Sequence, residues 1–275
     1  MNRLTTRHAA KKTQLRYPCR VCSQECSYEE ESIQCDGCQC WLHQHCIRMT
    51  LTQYVEYSHK PSLQFFCLRC ACDSDGHYNF RASLERIACL ALDVSRMRDQ
   101  AETENRLLAL YGITLPPLSA PYARDVVVDR PSVSLLQHHS QWLLKQYVPA
   151  AVGADGNCLF RAVLLALYGH DGLYDHLRLL TTTEVLLQPS LYDSTSAEYY
   201  APYTADDRLM LYTYDNFVKE TVKDGAYSDM LTVLALSSVC IRLKCTGRRG
   251  CASFGTIVEP GKAHMEKKHS TYQGS

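Results

Sequence analysis

The sequence predicts an α+β chain in three parts: a small metal-held module, a connecting helix and a larger α/β domain. Three observations carry this. Ten of the 15 cysteines fall between Cys19 and Cys72. A helical pattern over residues 79–111 gives way to a run of prolines. Beyond residue 134, apolar segments of helical spacing alternate with polar loops and one strand-like stretch. A length of 275 residues suits about two domains. Lys+Arg and Asp+Glu both number 29, so net charge does not drive the chain onto nucleic acid, and no sequence-specific DNA contact is expected. No apolar run approaches the roughly 18 residues of a membrane helix, and no membrane partner is expected. The polar, basic start from Met1 to Lys12 lacks the apolar core of a secretory signal. Clustered cysteines in such a chain, expected to be intracellular, point to metal and not to disulfides.

In chain order, residues 1–17 carry Arg3, Arg7, Lys11, Lys12 and Arg16 with no acid, and are expected to form a basic disordered tail. A nuclear-import or phosphate-contacting arm is the alternative. Residues 18–72 form the cysteine-rich module. Over 79–111, Leu84, Ile87, Ala91, Val94 and Ala101 recur at three- and four-residue spacing among charges, which reads as one amphipathic helix. Pro116, Pro117, Pro121 and Pro131 make residues 112–132 a linker. The second domain, 134–243, is expected to hold helices near 134–146, 158–168, 173–187, 213–223 and 228–237, a loop over 188–207, and a strand at Val239–Leu243. Residues 244–275 read as an irregular basic tail.

The metal signal lies in spacing. Cys19-x2-Cys22, Cys35-x2-Cys38, His43-x2-Cys46 and Cys67-x2-Cys70 are four pairs, each able to place two ligands on one tetrahedral Zn²⁺. Together they supply two closed four-ligand sites. Such sites leave no position for water, so both ions are expected to be structural, holding a module too small for a large core. Cys26, Cys40 and Cys72 are surplus and read as ordinary thiols.

Four cysteines, then one histidine, then three cysteines resembles the ligand order of PHD fingers; a RING finger has its histidine fourth. Cys35-Asp36-Gly37-Cys38-Gln39-Cys40-Trp41-Leu42-His43 is similar to that family's middle motif, and Phe65 stands where the family has a core aromatic. The resemblance implies a cross-brace, with Cys19, Cys22, His43 and Cys46 on one zinc and Cys35, Cys38, Cys67 and Cys70 on the other.

Seven thiolates and two Zn²⁺ carry a formal charge of about −3. Glu25, Glu29, Glu30, Glu31 and Asp36 add acid, with no Lys or Arg between Val21 and Ile47. Such a face suits a basic peptide and repels phosphate. PHD fingers commonly bind the histone H3 tail as an added strand. The resemblance implies main-chain pairing with Ser32, Ile33 and Gln34, acids at Glu31 and Asp36, and Trp41 as an aromatic face for a methylated lysine. Ser32 stands where many methyl-lysine readers carry a large side chain. Tyr17 and Tyr28 are aromatics near enough in sequence to compensate.

The second constellation is Ala154-Asp155-Gly156-Asn157-Cys158-Leu159-Phe160-Arg161. A tight turn leads into an apolar helix, and a thiol at a helix N-terminus feels the positive end of the dipole. An N-capping Asn157 beside a half-buried cysteine is the plainer alternative. The longer string resembles the nucleophile motif of OTU-type cysteine proteases, with Asp155 and Cys158 matching position by position. Gly225-Ala226-Tyr227 ahead of an apolar helix looks like the family's later turn. The 177–187 helix resembles that of vertnin-type OTU-like domains. The family's histidine arrives late, before an aromatic residue; here the tail offers His264-Met265 and His269-Ser270 instead. The leading expectation is a nuclear zinc-dependent reader of a basic peptide such as the H3 tail, joined to an OTU-like domain that is inactive or incomplete. The alternative is an OTU-type deubiquitinase, in nucleus or cytoplasm, acting on ubiquitin with Cys158 as nucleophile and His264 or His269 as base.

Overall fold

In the computed structural model, residues 16–27, 29–116, 126–193 and 213–247 are described. Tyr28, most of the N-terminal tail, nearly all of the C-terminal tail, and His264 and His269 lie outside the described residues.

The metal-bearing module is built on one short hairpin. Strand β1 (Ser32–Gln34) pairs antiparallel with β2 (Trp41–His43), setting Ile33 opposite Leu42. The connecting turn closes through the Cys35 N–H to the Cys40 carbonyl at 2.9 Å. Helix α1 (Leu51–His59) starts at a capping box, in which Thr50 and Gln53 each satisfy the other's backbone N–H. The short α2 (Leu68–Ala71) follows Cys67. Leu42, Met49, Tyr57, Leu63 and Phe65 form a small core.

The single helix expected over 79–111 is two. Helix α3 (Phe80–Ala88) is capped by the Asn79 side chain, and α4 (Val94–Leu110) by Asp93, whose carboxylate accepts from the Ser95 and Arg96 N–H groups. Asp93 is a strong N-cap placed mid-segment, so the chain stops and restarts there, leaving Leu92 fully exposed. Leu107 of α4 lies in the module's core, whereas Met97, Ala101 and Leu108 lie in the core of the next unit. Polar ties reinforce the first contact: Tyr111 donates to the Phe66 carbonyl at 2.6 Å, and the Gln64 N–H donates to Thr103 at 3.2 Å.

Among the described residues, the regular elements of the second unit are helices, beside a lone β-bridge between Val128 and Ala150: α5 (Arg130–His139), α6 (Cys158–Tyr168), α7 (Tyr174–Leu187), α8 (Pro189–Tyr192), α9 (Tyr214–Val222) and α10 (Met230–Gly247). Helix α7 is the central element, packed by α3, α4, α6, α9 and α10. Gly169, at a positive φ of 76°, ends α6. The strand expected at Val239–Leu243 is instead the continuation of α10. Leu231, Ala235, Leu236 and Val239 recur at helical spacing and are all buried, which outweighs the local β preference of Val239 and Ile241.

Candidate functional site

The eight ligand residues converge as two tetrads: Cys19, Cys22, His43 and Cys46, and Cys35, Cys38, Cys67 and Cys70. Within each, the ligand atoms lie within 4.8 Å of one another. The Cys38 and Cys67 sulfurs are 3.8 Å apart, the tetrahedron edge given by Zn–S bonds of about 2.3 Å. The two sets interleave along the chain, so the β1–β2 hairpin is gripped from both sides. Gly37 lets this close: a Cβ there would stand 3.1 Å from both Cβ and Sγ of Cys70.

The donor set demands a cation. Burial opposes the Cys19 thiolate, but N–H groups of Cys22, His43 and Val21 overcome it and hold the thiol down to about 6. Burial and the neighbouring Cys22 and Cys19 sulfurs push Cys46 up to about 12. Four such groups cannot all be ligands without positive charge among them, and a dication supplies it. His43 presents Nδ1 to the sulfurs of Cys22, at 3.4 Å, and Cys46, at 3.8 Å. Its Nε2 faces the Glu25 carbonyl at 3.2 Å and the Glu30 carboxylate at 3.3 Å, an outer shell that fixes the ring. The residues fit two structural zinc ions.

Comparison with known proteins agrees. Residues 16–74 match the family model of the Pygopus PHD-type zinc finger. The N-terminal module is a PHD-type finger. Residues 149–213 match the Vertnin OTU domain model, so the finger is followed by an OTU-like region. Pygopus homolog 1 of Mus musculus is 33% identical over 73 residues, covering 26% of this chain and 18% of that protein. Pygopus homolog 1 of Homo sapiens is 33% identical over 70 residues, covering 25% and 17%. The chain thus spans under a fifth of the length of these curated relatives. No solved structure matches it.

A cleft opens between β1 and α1 of the finger. It is lined by Ser32, Ile33 and Gln34 of β1 and Tyr54, Tyr57 and Ser58 of α1, together with Asp36, Trp41, Leu63 and Phe65. The Asp36 carboxylate is partly committed, accepting from the Phe65 N–H at 2.6 Å. Tyr57 is buried, and its hydroxyl has no hydrogen-bond partner among the described residues. Glu31 stands outside the cleft, exposed just before β1. Tyr17 lies against Trp41, which pairs with Gln34 of β1, ring centroids 5.7 Å apart and planes at 58°, forming an aromatic corner. The α1 residues went unnoticed in the sequence; their signal was two tyrosines three apart on a short helix.

In the OTU-like region, Cys158 opens α6 and is half-buried. Among the described residues no hydrogen bond joins it to an imidazole. Asn157 occupies the cap position without capping. Its side chain instead accepts from Arg178 Nε at 2.9 Å and donates to Asp224 at 2.9 Å. Asp155 is held by Arg161 at 2.7 Å and accepts the Asn157 N–H at 3.0 Å; the Arg161 contact lowers its pKa to about 2. Arg178 is the residue that sequence reasoning missed. Fully buried, its guanidinium also donates to the carbonyls of Gly156, Thr221, Lys223 and Ala226, tying the turn before Cys158 to the turn before α10. A lone cation within the Leu- and Thr-rich stretch 177–187 was its only trace.

Proposed function

We propose that the finger is a reader of basic peptides, of which the histone H3 N-terminal tail is the leading example. The observation that carries this is the edge of β1 that no strand pairs among the described residues, on a cleft lined also by Asp36 and Trp41. A peptide laid along Ser32, Ile33 and Gln34 adds a third strand, so its main chain supplies affinity and alternate side chains supply selectivity. Trp41 and Tyr17, tilted by 58° to one another, then offer two π faces to a methylated lysine, each worth about 0.5–2 kcal/mol. Ser32 leaves the third side open, which favours a bulky trimethylammonium less than a closed cage does. Glu31 and the other acids of this face add long-range attraction. The reading implies a nuclear protein.

Titration of the zinc-loaded full chain with an H3 N-terminal peptide, unmodified and methylated at lysine, tests this. Micromolar to sub-millimolar binding that Trp41→Ala weakens about tenfold for the methylated form is expected, since tenfold is about 1.4 kcal/mol. No binding at about millimolar peptide overturns it.

The OTU-like region is proposed to serve recognition and not hydrolysis. Asp155 and Asn157 are both committed to holding the turn, and among the described residues no imidazole is hydrogen-bonded to the Cys158 thiol. A ubiquitin-derived electrophilic probe that labels the parent protein but not Cys158→Ala would instead establish the protease.

A further inference from the structure

The cleft of this acid-rich finger has a second basic sequence at hand, the run of cations in residues 1–17. Residues 1–17 hold Arg3, Arg7, Lys11, Lys12 and Arg16 and no acid, while residues 21–47 hold Glu25, Glu29, Glu30, Glu31 and Asp36 and no Lys or Arg. The two stretches are opposite in charge and adjoin directly. The last cation of the run is already placed: the Arg16 guanidinium lies 5.2 Å from the Tyr17 ring centroid, on the ring that meets Trp41. The tail therefore leaves the finger alongside β2, at the Tyr17 ring that meets Trp41 of the cleft lining. Extended chain covers about 3.3 Å per residue, so the four to five residues from Arg16 back to Lys12 and Lys11 span about 15 Å, more than the length of three-residue β1.

Resting on the reading of this cleft as a basic-peptide site, we infer that the segment Arg3–Arg16 is an intramolecular ligand of the acid-rich finger, competing with external tails for the same cleft. Residues 1–15 are outside the described part of the structure; charge complementarity, continuity with Arg16 and reach carry the assignment. Tethering changes the arithmetic. A short flexible connection holds the tail at an effective concentration of about 1 mM, so a tail that binds with Kd of only about 0.1 mM weakens any competitor roughly tenfold. Such competition would set a threshold: only tails that make contacts the internal one lacks, such as a methylated lysine in the Tyr17–Trp41 corner, displace it. It would also make modification of Lys11 or Lys12 a means of opening the reader.

The experiment compares the zinc-loaded full chain with a variant carrying Arg3→Gln, Arg7→Gln, Lys11→Gln and Lys12→Gln, each titrated with a 15-residue H3 N-terminal peptide and with a synthetic peptide of residues 1–16. The expected result is that the variant binds the H3 peptide about tenfold more tightly than the parent, and binds the 1–16 peptide competitively with it. Equal affinity of both proteins for the H3 peptide overturns the inference and leaves the reader reading standing. Binding of the 1–16 peptide by the variant, with no H3 binding by either protein, overturns the H3 reading and supports the internal ligand. No binding of either peptide overturns both. An affinity gain that vanishes on dilution assigns the tail to the groove of a second copy and overturns the intramolecular form.

Discussion

Arg178→Met tests whether one guanidinium fastens the OTU-like region together. Five acceptors lose their donor: Asn157 Oδ1 at 2.9 Å and the carbonyls of Gly156, Thr221, Lys223 and Ala226 at 3.1, 3.0, 2.8 and 3.0 Å. An orphaned buried acceptor costs about 1–3 kcal/mol. Two effects reduce the sum. Water reaches the acceptors nearest the surface, and burial already penalises the guanidinium, lowering its pKa, so its removal returns part of that cost. Against this, Asp224 and Asp175 lose a compensating charge, and Phe160 loses a guanidinium 4.5 Å from its ring centroid. The balance is a loss of about 3–5 kcal/mol, the range found on breaking a buried charged network, and a large part of the stability of a typical domain. Urea unfolding followed by circular dichroism measures the loss. Hydrogen exchange should show it beginning at residues 156–158 and 223–226. Arg178→Lys, which keeps the charge but cannot reach all five acceptors, should fall between. A loss under about 1 kcal/mol for the Met variant would mean that the acceptors find other partners and that the fastening role is wrong.

Gly156→Ala should be nearly as damaging, because Gly156 has φ 77° and an added Cβ would sit 1.7 Å from the Gly225 carbonyl oxygen; a thermal midpoint within a degree or two of the parent would refute the close approach of the two turns. His176 is buried against Phe80, and burial holds its pKa down to about 4. The unfolded chain takes up this proton first, near pH 6.5, so stability is full above that point and falls as pH drops toward 4. The loss is about 2 kcal/mol by pH 5, and His176→Phe should remove that part of the slope in urea titrations. Leu107→Ala removes a fully buried side chain shared with the finger and should cost about 3–5 kcal/mol in unfolding experiments. Two zinc ions per chain are expected by elemental analysis, and chelation should reduce helical signal beyond that of α1 and α2, because α4 loses its finger-side contacts.

Local rules were legible in the sequence where local chemistry decides the outcome. Ligand spacing alone grouped eight side chains, because a short turn is all that a zinc pair needs. The α6 boundaries followed from Asn157 before an apolar stripe and Gly169 after it. Tertiary choices were hidden. The segment Val239–Leu243 reads as a strand in isolation and became helix because Leu231, Ala235, Leu236 and Val239 share one buried face. Arg178 carries no local signal of its role, which arises only when the turns before Cys158 and before α10 close over it. The wall of the cleft supplied by Tyr54 and Tyr57 depends on how α1 folds back over β1, which no spacing records. Asp93 was readable as a cap, yet the periodicity on both sides concealed the break.

Helix α4 has a mechanical consequence. With Leu107 locked into one core and Met97, Ala101 and Leu108 into the other, it works as a common beam and not as a hinge. Under the proposed reading, a peptide seated on the finger would be held in a set orientation to the OTU-like region, and its bound length, more than any swing of one unit against the other, would decide whether a single tail can span both.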